Sequence, residues 1–477
     1  MSENASTHPH SINVNDASLY ISGYEFGPGV SKIIISLSRT VDNVKKEGAS
    51  ICTNGKERTI QNIYLSNSKG DHASGSSNYV TIELDITMEP NCSPFSFNWK
   101  TFQNEWVQKY EVKATFHFTV DGKDYDTSFE GDCIKNRICP AIEQFTYHST
   151  FSGKYKNPMT QNDDLVTLQI GAYEPKHLKE DNAKNPLIIW LHGQGEGGKD
   201  IEIALLGNQV TALITPKIQS YFTTKNGSTG AYVLAVQTPT YWMDGGDGLN
   251  SNGDVESRYT QALMDAIKDY VSKNPDIDTN RIYLGGCSNG GFMTMNLLIK
   301  YPDYWAASYM TCEAYPFMKC QRDSEGKYIV KEGSQFASEV LPSEERWFTD
   351  EKLNAIKNIP MWLVHCAEDP LVSAVRFSFP TYKELLKLGA RNCWYSYFQT
   401  VEGKDIPGMK YFGHWVWIRL FNDQITRVQD REKILNSSDQ ETFGYVANNE
   451  GGGTQKAADD KGTYESIFAW LNAQVKK

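Results

Sequence analysis

One stretch of the chain, Arg281–Thr294, joins a short apolar strand to an apolar helix through a turn of small residues. Residues 286–290 of this stretch read Gly-Cys-Ser-Asn-Gly and fit the pattern G-x-S-x-G. The pattern places its serine in a strained backbone conformation, and a Cβ at either glycine would collide with the neighbouring strand or helix. Ser288 is therefore predicted to project its hydroxyl from the tip of a sheet, at a helix N-terminus that favours negative charge. The alternative is an ordinary strand-to-helix connection that happens to carry a serine.

Length and charge limit the classes of protein to which the chain can belong. Its 477 residues are enough for two domains, and 47 basic against 58 acidic residues give a net charge of −11. This balance excludes nucleic acid and anionic membranes as expected partners, and no apolar run is long enough to span a bilayer. The polar N-terminus has no apolar signal core, so we expect either an extracytoplasmic protein whose signal peptide has been removed or a cytoplasmic one. The abundance of Asn, Ser, Thr, Gly and Tyr favours the extracytoplasmic setting.

The nine cysteines indicate neither a zinc ribbon nor a thioredoxin-like motif, because no C-x-x-C pair occurs. Cys133 and Cys139 are close enough in sequence to form a disulfide, and so are Cys312 and Cys320. Each of the four is equally compatible with a reduced, half-buried thiol.

The pattern of residues 1–140 predicts an all-β domain. Short runs of β-formers are separated by Gly, Asn, Asp and Ser, and no helical periodicity competes with them. The predicted strands include Ser18–Tyr24, Lys32–Leu37, Tyr79–Thr87 and Tyr110–Val120. The pair Asp121-Gly122 supplies the positive φ angles of a tight hairpin turn. We therefore predict a small antiparallel sandwich of immunoglobulin-like architecture.

The pattern changes in residues 141–477, where strands alternate with helices. The predicted strands are Leu165–Ile170, Asn185–Leu191, Ala231–Val236, Trp305–Met310, Pro360–His365 and Asn392–Phe398, together with the one before Ser288. The predicted helices are Tyr259–Val271, Tyr382–Leu388 and Tyr464–Val475, together with the one after Ser288. This alternation predicts an α/β domain with a doubly wound, mostly parallel sheet and a site at the carboxyl ends of its strands. The long charged segment 311–358 is predicted to be a lid-like insertion of short helices over that site.

A serine hydroxyl needs a base to remove its proton, and the base needs an acid to orient it and stabilise its charge. His365 and His414 are the histidines that follow Ser288. His365 ends an apolar strand, where a histidine usually packs, whereas His414 follows the last predicted strand, so His414 is the predicted base. Just beyond His365, Asp369 is the preferred acid because Pro-Leu-Val follows it, as in the D-x-x-V turn after such acids. Glu368 remains the alternative, since either carboxylate could reach the imidazole.

The oxyanion formed during acyl transfer needs two N–H donors. We predict that the backbone N–H of Asn289 is one of them. The second is predicted in the His-Gly-rich loop 191–198, where Gln194 is preferred and Gly193 or Gly195 is the alternative. Such a loop is also compatible with a flexible connection or a phosphate cradle, but it lacks the lysine pattern of a nucleotide site. No metal and no organic cofactor are expected.

Aromatic residues lie close in sequence to these loops. Trp242 and Trp415, with Tyr241 and Trp417, are candidates for the lining of an acyl or alcohol pocket, with plain packing as the alternative. The segment 244–256 contains Asp and Asn residues, but their spacing fails the EF-hand pattern.

Two motifs resemble a known group. Residues 285–291 are similar to the Gly-x-Ser-Asn-Gly-Gly signature of the prolyl oligopeptidase family, and residues 191–196 are similar to the oxyanion loop of related bacterial esterases. The layout resembles secreted bacterial esterases in which an immunoglobulin-like domain precedes an α/β-hydrolase domain. The resemblance implies an α/β-hydrolase fold, a triad of Ser288, Asp369 and His414, and cleavage of short-chain or aryl esters.

The N-terminal region departs from true prolyl oligopeptidases, because it is too short for the propeller that gates peptide access. A serine esterase is therefore the leading expectation, and a prolyl-oligopeptidase-like peptidase is the alternative. Feruloyl or acetyl esters on polysaccharide and polyesters are further expected substrate classes. A non-catalytic binding protein is the competing class of function. The N-terminal sandwich could orient the catalytic domain, shape its entrance or mediate assembly into a homo-oligomer.

Overall fold

The computed structural model describes residues 12–223, 227, 229–331 and 339–476. These residues form two compact units, of which the first contains residues 12–98 and 105–143 and the second contains 99–104 and 144–476. No helix in the described ranges is both long and apolar enough to cross a membrane. All nine cysteines are free thiols, so neither disulfide considered above forms.

The first unit contains two larger β-sheets, as predicted for an all-β sandwich, and the short strands Phe95–Asn98 and Gln103–Trp106 pair separately. In spatial order the larger sheet contains Arg137–Ile138, Val14–Tyr24, Gly27–Val41, Ser77–Leu84 and Ile60–Ser66. The smaller contains Lys123–Asp132, Glu111–Val120, Asn43–Thr53 and Lys56–Glu57. Short elements are Pro90–Cys92, Phe95–Asn98, Gln103–Trp106 and Pro140–Glu143. Every second side chain of Glu111–Val120 is buried, which is the pattern of a strand with one face on a core.

The hairpin predicted at Asp121-Gly122 is confirmed. Both residues have positive φ angles, 48° and 75°, and Lys123 lies directly opposite Val120 in the strand pair. The two residues thus form the tight two-residue connection that favours this dipeptide, because its backbone twist matches that of the flanking strands.

The second unit is built on an eight-stranded sheet. Its strands are β1 (Tyr147–Lys156), β2 (Asp163–Tyr173), β3 (Asn185–Leu191), β4 (Tyr232–Gln237), β5 (Ile277–Cys287), β6 (Ala307–Thr311), β7 (Met361–Cys366) and β8 (Cys393–Phe398). Their spatial order is β1-β2-β4-β3-β5-β6-β7-β8. β1 and β2 are antiparallel to their neighbours, and β3 to β8 run parallel. The predicted doubly wound, mostly parallel sheet is confirmed, and its strand order reverses around β3.

Helices connect these strands and supply much of the core. They are Lys176–Glu180, Ile201–Gly207, Pro216–Gln219, Thr260–Lys273, Asn289–Lys300, Asp350–Ile356, Ser378–Lys387, Trp417–Phe421, Arg431–Asn436 and Ile467–Asn472. Short 3₁₀ turns are Gln194–Glu196, Val210–Ile214, Pro302–Tyr304 and Gly413–Trp415. The sequence spacing predicted a helical face with Leu263, Ile267 and Val271, and Thr260–Lys273 buries the first two, whereas Val271 is half-buried. β3 is buried at all seven positions, which explains its continuous apolar sequence. The last helix is shorter than the predicted Tyr464–Val475.

The insertion 311–358 differs from the predicted set of short helices, and its residues 332–338 lie outside the described ranges. Its described part contains a ladder between Met318–Cys320 and Pro342–Arg346, followed by the helix Asp350–Ile356. The reason is a tight turn at Asp323, whose carboxylate accepts two backbone N–H groups, with Gly326 at a φ of 81°. This turn sends the chain back on itself and pairs short extended segments instead of starting a helix.

Candidate active site

Ser288 lies at the junction between β5 and the helix Asn289–Lys300. Its φ and ψ of 53° and −116° are sterically strained for a residue with a Cβ, as the motif predicts. The neighbouring glycines allow this turn. A Cβ on Gly290 would lie 2.0 Å from the carbonyl oxygen of Leu191, and one on Gly286 would lie 2.7 Å from the backbone of Gly290. The close approach of strand and helix therefore holds the serine in its strained position.

Two backbone N–H groups beside this turn are suited to bind an oxyanion. Asn289 and Gln194 are each the first residue of a helical turn, so neither N–H has an intrahelical acceptor. The alternative donor Gly193 is engaged, because its N–H donates to Oδ1 of Asn208 at 3.0 Å. Asn250 joins the two candidates, since its Nδ2 donates to Oε1 of Gln194 at 3.0 Å and its Oδ1 accepts from Nδ2 of Asn289 at 2.8 Å. The loops that carry the two donors are thus tied together.

Asp369 and His414 form a close pair. Nδ1 of His414 lies 3.0 and 2.9 Å from the two carboxylate oxygens, and Oδ1 also accepts the N–H groups of Leu371 and Val372 at 2.9 and 3.0 Å. Burial alone would raise the pKa of Asp369. The charge of His414 and hydrogen bonds from His365 and His414 outweigh burial and lower this pKa below its usual range. Asp369 is therefore ionised at neutral pH and oriented toward the imidazole.

The structure directs the two candidate acids to different partners. Glu368 is exposed, and its carboxylate pairs with Nζ of Lys410 at 2.7 Å, whereas Asp369 faces His414. Gly413, which precedes the histidine, makes the approach possible, since a Cβ there would lie 2.1 Å from the carbonyl oxygen of Glu368. The sequence did not point to this glycine, which allows the base-carrying loop to touch the acid-carrying loop.

The segment after β6 lies against both Ser288 and His414. The N–H of Ser288 donates to the carbonyl of Thr311 at 3.1 Å, and the thiol of the next residue, Cys312, donates to the carbonyl of His414 at 3.3 Å. Among the residues that the structure describes, none forms a hydrogen bond with the Ser288 hydroxyl. Such contacts are often long in a substrate-free enzyme and shorten when substrate binds.

Three side chains of the same cluster carry atoms that could ligate a metal. The ligand atoms of Cys312, Asp369 and His414 lie within 4.8 Å of one another, a spacing that a metal ion could bridge. Burial, together with the charge of Asp369, raises the pKa of the Cys312 thiol well above its usual range. Because a neutral thiol is a poor ligand and His414 is already bound to Asp369, the donor set does not suit a metal.

His192 supports the loop that contains Gln194. This histidine is buried, Nδ1 donates to the carbonyl of Gly193 at 2.6 Å, and Nε2 accepts the N–H of Thr238 at 3.2 Å. Burial lowers its pKa to about 4, so the ring is neutral at physiological pH. Trp242 has no exposed surface, and its ring lies 5.2 Å from that of His192. Trp242 therefore packs this loop.

Trp415 and Trp417 lie close to His414, whereas the hydroxyl of Tyr241 donates to the carbonyl of Thr101. Trp417 is buried and meets the His414 ring edge-on at 5.9 Å. Trp415 is half-buried and lies 6.3 Å from the ring of Tyr411 and 6.2 Å from that of Phe412. Trp415 is thus the more accessible of the two tryptophans, and its pocket-lining role stays a prediction.

Glu196, on the same loop as Gln194, is a buried acid that sequence patterns did not reveal. Its Oε1 accepts from Nδ2 of Asn104 at 3.2 Å, and its backbone carbonyl accepts from Gln237 at 2.9 Å. Burial raises the pKa of Glu196 to about 7, against the opposing effect of a hydrogen bond from Asn208. The carboxyl is therefore half-protonated near neutral pH, and Glu196 holds the loop that contains Gln194 through amide contacts.

We expect Glu196→Gln to be more stable than the wild type at pH 8 but not at pH 4.5. The unfolded chain releases this proton near its ordinary pKa of 4.5, whereas the folded chain retains it up to about pH 7. Stability is thus lost as pH rises through this window, by on the order of 3 kcal/mol. The melting temperatures of both proteins at pH 4.5 and 8 measure the effect. Glu180→Gln, at an exposed ion pair with Lys176, is the control. An equal shift of Glu196→Gln at both pH values would contradict the assignment.

Comparison with known proteins agrees with this architecture. Residues 16–126 match the family model described as the esterase Ig-like N-terminal domain. The crystal structure of a thermostable esterase is similar over 86% of this chain and 97% of its own, with a TM-score of 0.61 and 22% identity. None of the curated proteins compared matches the sequence.

Two further structures are less similar. A ferulic acid esterase is 12% identical over 53% of this chain and 90% of its own, with a TM-score of 0.34. The acylaminoacyl peptidase of Pyrococcus horikoshii is 15% identical over 87% of this chain and 57% of its own, with a TM-score of 0.37. Structural similarity at these TM-scores is too low to assign either protein's activity to this chain. These findings show that the chain has the α/β-hydrolase fold and that residues 16–126, which precede the eight-stranded sheet, are similar to the esterase Ig-like N-terminal domain.

Proposed function

We propose that this chain is a serine hydrolase that cleaves carboxylic esters of short-chain or aromatic acids. The observation that carries the proposal is the pairing of Asp369 with Nδ1 of His414, at 2.9 Å, next to the segment that holds Ser288 in its strained turn. This arrangement has the parts that acyl transfer requires: a nucleophile, a base and an acid that orients the base.

The proposed reaction proceeds in two acyl-transfer steps. Ser288 Oγ attacks the ester carbonyl carbon while Nε2 of His414 takes the hydroxyl proton, and the resulting oxyanion accepts N–H groups of Asn289 and Gln194. The intermediate collapses, and the alcohol leaves with the proton from His414, which gives a Ser288 acyl ester. His414 then removes a proton from water, whose oxygen attacks the acyl carbon and releases the carboxylic acid. Asp369 stays ionised throughout and stabilises the transient imidazolium.

Two observations favour esters over peptides. The two larger sheets of the first unit have five and four strands, whereas a propeller that would screen peptides needs at least four blades of four strands. The family model that matches this unit is named for esterases, and the structure with a TM-score of 0.61 is that of an esterase. A prolyl-specific peptidase is therefore the second candidate.

We expect p-nitrophenyl esters from acetate to octanoate to be hydrolysed, with the short acyl chains turned over fastest. A prolyl-peptide anilide is expected to react far more slowly, because an amide resists hydrolysis and the described residues form no propeller that would select peptides. Methyl ferulate, assayed in parallel, tests the aryl-ester class. The values of kcat/KM across this panel are the measurement.

Other results would favour a peptidase or a non-catalytic binding protein. Turnover of the anilide alone would assign the protein to the peptidases. A fluorophosphonate probe labels any activated serine, so absence of both turnover and labelling would favour a non-catalytic binding protein.

A further inference from the structure

A second histidine, His365, lies next to Asp369, the proposed acid. His365 is the second-last residue of β7 and has no exposed surface. Its Nε2 lies 2.8 Å from the carbonyl oxygen of Val372 and 3.4 Å from Oδ2 of Asp369. A carbonyl oxygen can only accept, so Nε2 of His365 must bear a proton. This N–H therefore faces the acid-carrying turn and its carboxylate together.

Two hydroxyl groups fix the opposite side of the ring. Oγ of Ser378 lies 2.9 Å from Nδ1 of His365, and the hydroxyl of Tyr395 lies 2.6 Å from Oγ of Ser378. Either hydroxyl of this pair can donate or accept, so the pair satisfies Nδ1 while Nε2 keeps its N–H toward Val372 and Asp369.

The turn after Asp369 is held at both ends through Val372. The N–H of Val372 donates to Oδ1 of Asp369 at 3.0 Å, and its carbonyl accepts from Nε2 of His365 at 2.8 Å. A shift of His365 would thus move both the carboxylate and the backbone group that binds it. Because both ring nitrogens of His365 are engaged in this network, the residue is unsuited to be the base itself.

We propose that His365 is a positioning residue, which acts through Asp369 to orient His414 for proton transfer. This inference rests on the proposed function of Ser288, Asp369 and His414. Removal of the Nε2 donor frees the carboxylate to rotate, and a displacement of about 1 Å at a catalytic group costs up to about 100-fold in rate. We expect the loss in kcat, since the described side-chain contacts of His365 are with Ser378, Val372 and Asp369.

Two substitutions of His365 distinguish the effect of its Nε2–H donor from the effect of its ring volume. His365→Phe keeps a ring but removes both nitrogens, whereas His365→Gln places an amide donor near the position of Nε2. We expect His365→Phe to lower kcat for the preferred p-nitrophenyl ester by about 10- to 100-fold with KM within about threefold. His365→Gln is expected to restore kcat to within about fivefold of the wild type. Ser378→Ala, which removes the contact to Nδ1, should give a smaller loss and tests the network if His365→Phe does not fold.

The same substitutions in an Asp369→Asn background show whether His365 acts through the acid. There we expect His365→Phe to change kcat by less than about twofold, because the carboxylate that it positions is gone. The labelling rate of Ser288 by a fluorophosphonate probe provides a second readout, which needs no knowledge of the natural substrate. Melting temperatures check that each variant is folded.

The combined results either support or overturn the proposed positioning role of His365. Loss in His365→Phe, recovery in His365→Gln and no further loss beside Asp369→Asn would support it. An undiminished loss beside Asp369→Asn, or wild-type kcat and labelling in folded His365→Phe or Ser378→Ala, would overturn it while leaving the proposed function intact. A wild-type chain that neither labels nor hydrolyses any ester would contradict the proposed function as well.

Discussion

Replacement of Ser288 by alanine is expected to lower kcat/KM for the preferred p-nitrophenyl ester by about 10⁴- to 10⁶-fold. The hydroxyl is the only group of this residue that can form the acyl-enzyme, and alanine leaves the oxyanion donors Asn289 and Gln194 in place. The residual rate should therefore reflect transition-state binding without a nucleophile. Initial rates at high enzyme concentration measure the loss, and stoichiometric fluorophosphonate labelling should fall from one per chain to none.

A matched control and a stability check keep this result specific. Ser152→Ala, at an exposed serine on β1, should retain wild-type activity and labelling. Alanine at position 288 keeps the φ of 53°, so the strain remains and the melting temperature should change by only a few degrees. Activity above about a tenth of the wild type in Ser288→Ala would show that another group is the nucleophile.

The central sheet could be predicted because its buried strands have nearly continuous apolar sequences. β3 is apolar along its whole length and is buried at every position, as a strand covered on both faces must be. The turn at Ser288 was equally readable, since Gly286 and Gly290 are required by backbone contacts of 2.7 and 2.0 Å that a Cβ would create. Where only glycine fits the local backbone geometry, the required glycines are visible in the sequence.

The supporting residues of the candidate site could not be predicted, because their roles depend on long-range contacts. Asn250 bridges Gln194 and Asn289 through amide hydrogen bonds that no motif encodes. Asn208 engages the N–H of Gly193 from fifteen residues away. Single asparagines are common in loops, so their sequence signal is the same whether they face solvent or bind a functional loop.

The segment 311–358 contains a short helix, Asp350–Ile356, as predicted, and also a strand pair that the sequence did not indicate, for a related reason. Pro342–Arg346 is charged and carries no alternation of apolar residues, so periodicity gives no strand signal. Its partner Met318–Cys320 lies far away in sequence, before the turn at Asp323, where two backbone N–H groups bind one carboxylate. The Asp-x-x-Gly sequence of that turn was the available clue, since Asp and Gly favour such turns.

The sequence favours Asp369 as the acid but leaves its neighbour Glu368 as an alternative. Mutation of each carboxylate can test this choice. Asp369→Asn is expected to lower kcat by about 10³- to 10⁴-fold, because a neutral amide cannot stabilise the imidazolium that forms on His414. An amide N–H facing Nδ1 would also favour the wrong tautomer of the ring, with its proton on the nitrogen that must accept from Ser288. Steady-state kcat and KM on the preferred p-nitrophenyl ester measure the loss, which should fall on kcat.

Glu368→Gln is the matched control, since it neutralises the neighbouring carboxylate with the same loss of charge. Glu368 is exposed and pairs with Lys410 at 2.7 Å, so this substitution should change kcat by less than about threefold. Both variants should retain the wild-type melting temperature within a few degrees if the folded structure is intact, although Asp369→Asn also weakens the bonds from Leu371 and Val372. If Glu368→Gln lost activity and Asp369→Asn kept it, the acid would be Glu368, and the pairing of Asp369 with His414 would have no catalytic role.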